Sequence, residues 1–158
     1  MSLINGYDNY ILFENGDLIN IDTGNKITPT LDKESGYLRF VMKKKGVLKR
    51  VRQHKLLGEY YIKKPNITKK LIIDHIDGKR DNNKLSNLRW VDYTGNRLNS
   101  IKSNRNKSGW IGIKKKDNNK YLAKITLQQK RLEKTFVHLE EAMRWREEII
   151  NGYLSQFY

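Results

Sequence analysis

Cysteine is absent from this chain of 158 residues. Its absence excludes a disulfide framework, a thiol nucleophile and a cysteine-based zinc site. Proline and alanine number two each, while Lys, Asn and Ile are abundant. That bias is the one expected of AT-rich codons. No run approaches the ~18 apolar residues of a membrane span. The start, MSLINGYDNY, lacks a basic segment followed by an apolar run, so no signal peptide is expected. The expected location is the cytoplasm, that of the host cell if the chain is phage-encoded.

Acidic residues are also scarce. Lys and Arg total 32 against 17 Asp and Glu, a net charge of +15. The excess is local. Residues 1–40 carry a net −3, residues 41–134 a net +20 and residues 135–158 a net −2. Codon bias would spread lysines evenly, so the clustering points to a binding surface for a polyanion, with nucleic acid first.

Residues 7–50 read as short strands, with YILF, LINI and YLRFVMK separated by the turn signals ENGD, DTGNK and KESG. RVRQHKLLGEYYI has Val51, Leu56, Leu57, Tyr60 and Tyr61 near helical spacing, and Pro65 follows it. KKLIIDH (69–75) and LRWV (88–91) read as strands around a polar loop. DYTGNRLNS reads as a short helix with Asp92 as N-cap. Residues 97–109 lack apolar periodicity and carry Arg97, Lys102, Arg105 and Lys107 without an acid, the pattern of a basic linker. WIGIKKK, KYLAKITL and KRLEKTFV then alternate as three strands. Residues 139–151 form an amphipathic helix with Leu139, Ala142, Met143, Ile149 and Ile150 on one side. The expected class is α+β. A small β-rich N-terminal region plus a ββα-metal unit fills 1–102, a basic linker fills 103–109, and a separate three-stranded sheet with one helix fills 110–158.

The stretch LIIDHIDGKRDNNKLSNLRWVDYTGN carries the chemistry. Cutting a phosphodiester needs an activated water, a Lewis acid for developing charge, and orientation of both. Histidine suits the first task because its ordinary pKa is about 6.5. His75 stands at a strand end beside Asp74. A hard divalent ion prefers oxygen ligands and keeps several waters, and the Asp74 carboxylate and Asn96 side-chain carbonyl can supply two. Asn87 has the donors and acceptor to brace the loop that positions His75. His54 reads as a structural histidine, His138 as a helix-capping residue, and Asp77-Gly78 as a turn. Gly95 within a helix is costly by up to about 1 kcal/mol; close approach of a DNA backbone or a frayed helix would account for it.

The segment resembles the HNH (ββα-metal, His-Me finger) endonucleases of the phage intron homing type. The resemblance rests on Asp74-His75-Ile76-Asp77-Gly78, Asp81-Asn82-Asn83, Asn87-Leu88-Arg89-Trp90-Val91, Asn96 and Asn99. It extends upstream through Gly36-Tyr37 and through Arg52, His54 and Leu56. It implies that His75 is the general base, that Asp74 and Asn96 bind one divalent metal (Mg²⁺, with Mn²⁺ as a second candidate), and that Asn87 is structural. Asn96 stands where the motif's third position is often His.

Residues 107–149 resemble the apetala/ethylene-response-factor type of DNA-binding domain through Gly109, Gly112, Ile113, Tyr121, Ala123, Ile125, Phe136, Glu140, Glu141 and Ala142. Alternation turns Ile111, Ile113, Tyr121, Ala123 and Ile125 toward the helix and Lys114, Lys116, Lys124 and Thr126 away from it. A sheet with a basic face fits the major groove. The sequence departs from that family at Lys134, where Gly is usual, and in having lysines in place of most Arg and Trp base readers.

The expected function is a site-specific, metal-dependent homing endonuclease that nicks or cuts duplex DNA. It would act as a monomer, without an obligate protein partner and away from membranes. Arg89, Arg97, Lys102, Arg105, Lys107, Lys114, Lys116, Lys124 and Lys130 are the expected DNA contacts. The alternatives are a DNA-binding regulator that does not cleave and an RNA-binding protein.

Overall fold

The structure is a computed structural model that describes residues 1–99 and 110–158. The expected linker 103–109, and Lys102, Arg105 and Lys107 with it, lie outside the described residues. The fold is α+β, in several small sheets with few helices. It divides into two compact units, Met1–Trp90 and Val91–Tyr158, so the short helix after Asp92 counts with the second. Among the described residues no helix is long and apolar enough to cross a membrane.

The first unit opens with an antiparallel sheet of β1 (Ser2–Ile4), β2 (Tyr7–Leu12), β3 (Leu18–Asn20) and β4 (Lys26–Ile27) in sequence order. A second antiparallel sheet follows, formed by β5 (Thr30–Leu31), β6 (Leu38–Lys44) and β7 (Val47–Arg52). β7 was not evident from its sequence, which merges with the helical pattern after it. It forms because Lys45 and Gly46 turn with φ of 48° and 82°. Two consecutive residues at positive φ give the tight hairpin that matches strand twist, so Val47–Arg52 folds back on β6.

Helix α1 (Gln53–Tyr61) buries Gln53, His54, Leu56, Leu57 and Gly58. Gly58 is on that buried face for a packing reason. A Cβ there would lie 2.2 Å from Ile73 Cδ1. Its absence lets α1 approach β8 (Leu71–His75), which pairs with β9 (Leu88–Asp92). The core of this unit includes Leu12, Leu18, Phe40, Met42 and Leu57, all almost fully buried. The Tyr10 hydroxyl accepts from the Lys43 backbone N–H at 2.9 Å, and the Tyr61 hydroxyl donates to the Leu12 carbonyl. These bonds tie the first sheet to β6 and α1.

The second unit holds α2 (Tyr93–Leu98), the antiparallel sheet β10 (Ile113–Lys115), β11 (Tyr121–Leu127), β12 (Lys130–Phe136), and α3 (Leu139–Leu154). Ile113, Ala123 and Ala142 form its buried centre, with Tyr121, Phe136, Leu139 and Trp145 packed around them. Met143, expected on the buried side of α3, is 43% exposed; Trp145 fills that role because it meets Phe136 at 5.8 Å between ring centroids. The Asp92 carboxylate caps α2 by accepting from the Gly95 N–H at 2.8 Å. Gly95 has a packing reason within this unit that its sequence did not reveal. A Cβ there would stand 3.1 Å from Val91 Cβ and 3.2 Å from Leu154 Cδ2, so glycine admits the end of α3.

Gly58→Ala should therefore lower the unfolding free energy by about 1–3 kcal/mol through overpacking, although helix propensity alone would raise it by about 1 kcal/mol. Urea unfolding of the two proteins measures the difference, and a more stable variant would refute the close-packing account.

Candidate functional site

The site is built on β8, β9 and the loop between them. β8 ends at His75, and the Gly78 N–H donates to the His75 carbonyl at 3.0 Å with Gly78 at φ 71°. A turn thus follows the strand directly. The residues after it have almost no ladder of their own, apart from a single 3₁₀ turn at Leu85–Asn87. Polar groups in such a loop need partners, and Asn87 supplies several of them. Its Oδ1 accepts from the Asp77 N–H at 3.0 Å. Its Nδ2 donates to Asp77 Oδ1 at 2.9 Å and to the Asn82 carbonyl at 2.8 Å. Its own carbonyl accepts from the Ile76 N–H at 2.8 Å. Asp77 also receives the Asn82 side-chain amide at 2.7 Å and the Lys79 N–H at 2.8 Å. These donors, Asn82 above all, lower the Asp77 pKa to about 2.

Asp74 and His75 are both buried. The Arg89 guanidinium donates to Asp74 Oδ2 from Nε at 3.3 Å and from Nη2 at 3.2 Å. This corrects the expected place of Arg89 among the DNA contacts. Arg89 is only 6% exposed, because a buried carboxylate on the neighbouring strand needs a compensating charge. His75 Nε2 lies 2.8 Å from Asn83 Oδ1. Its ring meets His54 edge-on at 4.8 Å and Tyr37 at 6.0 Å between centroids. His54 is buried, and its pKa is lowered to about 3 by desolvation first and then by His75 and nearby cations. Its Nδ1 is buried without a hydrogen-bond partner among the described residues.

A basic cleft that was not evident from sequence adjoins this site. Asp32, Tyr37, Arg39, Arg50 and Arg52 line a cavity of about 220 Å³. Arg39 stands directly opposite Arg52 across the β6–β7 ladder, where like charges repel. The Arg52 guanidinium covers the Tyr37 ring at 4.3 Å, and Arg80 does so at 5.2 Å. The available signal was Arg50 and Arg52 at alternate positions of a strand, hidden because β7 itself was not legible.

In the second unit, Asn96 and Arg97 lie on α2, and Arg97 Nη2 donates to the Thr126 carbonyl at 3.2 Å. Lys114, Lys115, Lys116, Asp117, Asn118, Leu122 and Lys124 line a groove of about 460 Å³ on the sheet. Lys124 also approaches Glu133 at 3.9 Å, and Lys130 is exposed at the next hairpin. His138 takes the N-cap position of α3 without a side-chain capping bond. Among the described residues no group of three or more His, Cys, Asp or Glu side chains gathers to hold a metal.

Residues 59–98 match the HNH endonuclease family. That segment includes Asp74, His75, Asn83, Asn87 and Asn96. The chain is similar to the DNA endonuclease I-HmuI of Bacillus phage SP01, with 33% identity over 89 residues, 56% of this chain and 49% of that protein. It is also similar to two uncharacterized HNH endonucleases of Acanthamoeba polyphaga mimivirus. The first is 28% identical over 61% of this chain and 28% of its own length; the second is 24% identical over 64% and 25%. The chain thus spans less than half the length of these relatives. Its fold is similar to the solved structure of the HNH homing endonuclease I-HmuI in a study of DNA binding and cleavage. That likeness has a TM-score of 0.56 at 23% identity, covering 94% of this chain and 86% of the other.

The depressed pKa of His54 gives a signed prediction. The unfolded chain takes up a proton at this residue near pH 6.5, whereas the folded one waits until about pH 3. Stability should fall as pH drops through that window, with a slope of up to about one proton per unfolding event. His54→Phe should lose that share of the slope, measured by urea unfolding from pH 7 to pH 4; an unchanged slope would remove His54 as its source.

Proposed function

We propose that this chain is a divalent-metal-dependent DNA endonuclease of the HNH homing type that hydrolyses phosphodiester bonds in duplex DNA. The observation that carries the reading is the β8–loop–β9 hairpin, where a buried His75 at a strand end lies above a loop clamped by Asn87. That hairpin falls within the segment that matches the HNH endonuclease family. In this reading His75 removes a proton from the attacking water, and Asn87 acts as a positioning residue through the loop.

The donor set suits a hard cation. Asp74 and Asn96 offer one carboxylate and one amide carbonyl, both oxygen ligands. Mg²⁺ tolerates such a sparse set because it keeps several waters; Mn²⁺ is the second candidate. When bound, the ion would stabilise charge on the scissile phosphate and the leaving oxygen. The resemblance implies products with a 5′-phosphate and a 3′-hydroxyl. One site per chain suffices to nick one strand, and the chain acts as a monomer in this reading.

Phosphates of the DNA backbone would enter two basic surfaces. The first is the cleft of Arg39, Arg50 and Arg52, whose three guanidinium groups outnumber the one carboxylate there, Asp32, which pairs with Arg39 at 3.3 Å. The second is the groove of Lys114, Lys116 and Lys124 on the β10–β12 sheet, with Arg97 and Lys130 on the same unit. A three-stranded sheet with one helix supports the likeness to the apetala/ethylene-response-factor type. Lysines there bind phosphate as point charges rather than giving bidentate base readout.

His75→Ala should abolish cleavage and leave binding near wild type. A denaturing gel that resolves each strand tests this, with duplex DNA from the gene's own neighbourhood, in Mg²⁺ or in EDTA. Cutting by the variant, or cutting in EDTA, would overturn the general-base and metal assignments. Bound but uncut DNA in every lane, with Mn²⁺ as well, would leave a DNA-binding regulator.

The double variant Lys114→Gln/Lys116→Gln should weaken binding and reduce the slope of log K against log salt by about 0.9 for each phosphate no longer neutralised. Fluorescence anisotropy across a salt series measures it, and an unaltered slope would take that groove out of the interface.

A further inference from the structure

We propose that a one-way chain of hydrogen bonds, starting at the Gly16 carbonyl and passing through Gln53 and Asn83, holds the neutral His75 ring with its proton on Nε2 and its lone pair on Nδ1. Gln53 and Asn83 are then positioning residues for the base. The effect on cleavage rests on the nuclease reading above; the tautomer itself does not.

The direction follows from donor and acceptor chemistry. A backbone carbonyl can only accept. Gly16 O lies 3.0 Å from one terminal atom of the Gln53 amide, so that atom is the donor Nε2. The other terminal atom, Oε1, is then an acceptor, and it lies 2.8 Å from the Asn83 amide. Asn83 must present Nδ2 there, which leaves Oδ1 facing His75 Nε2 at 2.8 Å. An amide oxygen accepts only, so Nε2 carries the proton. A neutral imidazole has one N–H, and Nδ1 therefore keeps the lone pair that a base uses.

Three further features show that the chain is built rather than incidental. Its members come from three segments, the β2–β3 turn, the start of α1 and the β8–β9 loop, with separations of 37 and 30 residues across its first two bonds. Gln53 and His75 are buried, at 8% and 4% exposure, so water competes little for these groups. The anchor is also specific to glycine. Gly16 has φ 88°, and a Cβ there would stand 2.9 Å from Gln53 Nε2. The turn that holds it is closed by the Gly16 N–H on the Phe13 carbonyl at 2.9 Å and the Phe13 N–H on the Asp17 carbonyl at 2.8 Å.

The experiment is a long-range ¹H–¹⁵N correlation of the imidazole rings in the ¹⁵N-labelled full chain at about pH 8, where free histidine is neutral. His75→Gln identifies the His75 signals by their loss. Wild type should show a protonated Nε2 and a pyridine-like Nδ1 for His75. Asn83→Asp retains an acceptor and should keep that pattern. Asn83→Leu should move His75 toward a mixture of tautomers, and Gln53→Leu should do so in part, because the Asn83 amide can then turn. Single-turnover cleavage should slow about 10–100-fold in Asn83→Leu, the range for losing an orienting partner, and recover most of that in Asn83→Asp.

A wild-type His75 with its proton on Nδ1 overturns the proposal, and this measurement needs no variant to fold. An Asn83→Leu protein with a native backbone spectrum and an unchanged His75 pattern overturns it too. The expected tautomers together with no cleavage of any DNA would support the hydrogen-bond chain and refute the nuclease reading.

Discussion

A loop that joins two short strands without forming a ladder must find other partners for its backbone, and here side-chain amides and one carboxylate provide them. Asn87 and Asp77 bond to each other, and between them they reach the Asn82 carbonyl and the Ile76 and Lys79 N–H groups. Each such bond is worth only about 1 kcal/mol net. The bonds share the same two side chains, so losing either Asn87 or Asp77 removes several of them at once. The loop's conformation fixes where Asn83 stands, and Asn83 meets the His75 ring. The chemistry of the site is thereby subordinate to a polar scaffold rather than to the apolar core.

The core enters through close approach. Gly58 brings α1 onto Ile73, one residue before Asp74, and so sets the helix against the strand that carries the site. The same helix presents Gln53 and His54 from its first turn. Charge is divided between these regions. Arg89 is spent inside the unit on Asp74, whereas the arginines around Tyr37 line an open cleft. A count of positive residues treats these alike, and the structure does not.

Much of the fold was legible because the signals were local. The strands β2, β6 and β11 follow alternation, and Asp92 reads as a cap because Asp precedes a short helical stretch. The β10–β12 sheet and α3 followed from period two giving way to period 3.6. What was not legible depended on partners distant in sequence. β7 was masked by the helix it runs into. Arg89 looked like a surface cation because its burial depends on Asp74 across the hairpin. Gly95 looked out of place until Leu154, 59 residues later, was seen beside it. At the candidate site, His75, Asp74 and Asn87 stood out by type and spacing. Gln53 and Gly16 did not, since only the fold brings them to Asn83.

Asp92 also ties a short helix to a residue far along the chain. Its Oδ1 caps α2 through the Gly95 N–H, while its Oδ2 accepts the Tyr153 hydroxyl at 2.6 Å across 61 residues. A helix of six residues has little stability of its own, because nucleation is unfavourable and few bonds follow it. The α2 segment therefore depends for its lasting shape on α3, which supplies Tyr153 and Leu154. Pairings so distant in sequence form late, since loop closure precedes their reward. On a ribosome, the helix bearing Asn96 would be synthesised more than fifty residues before Tyr153 and Leu154, the residues that secure it.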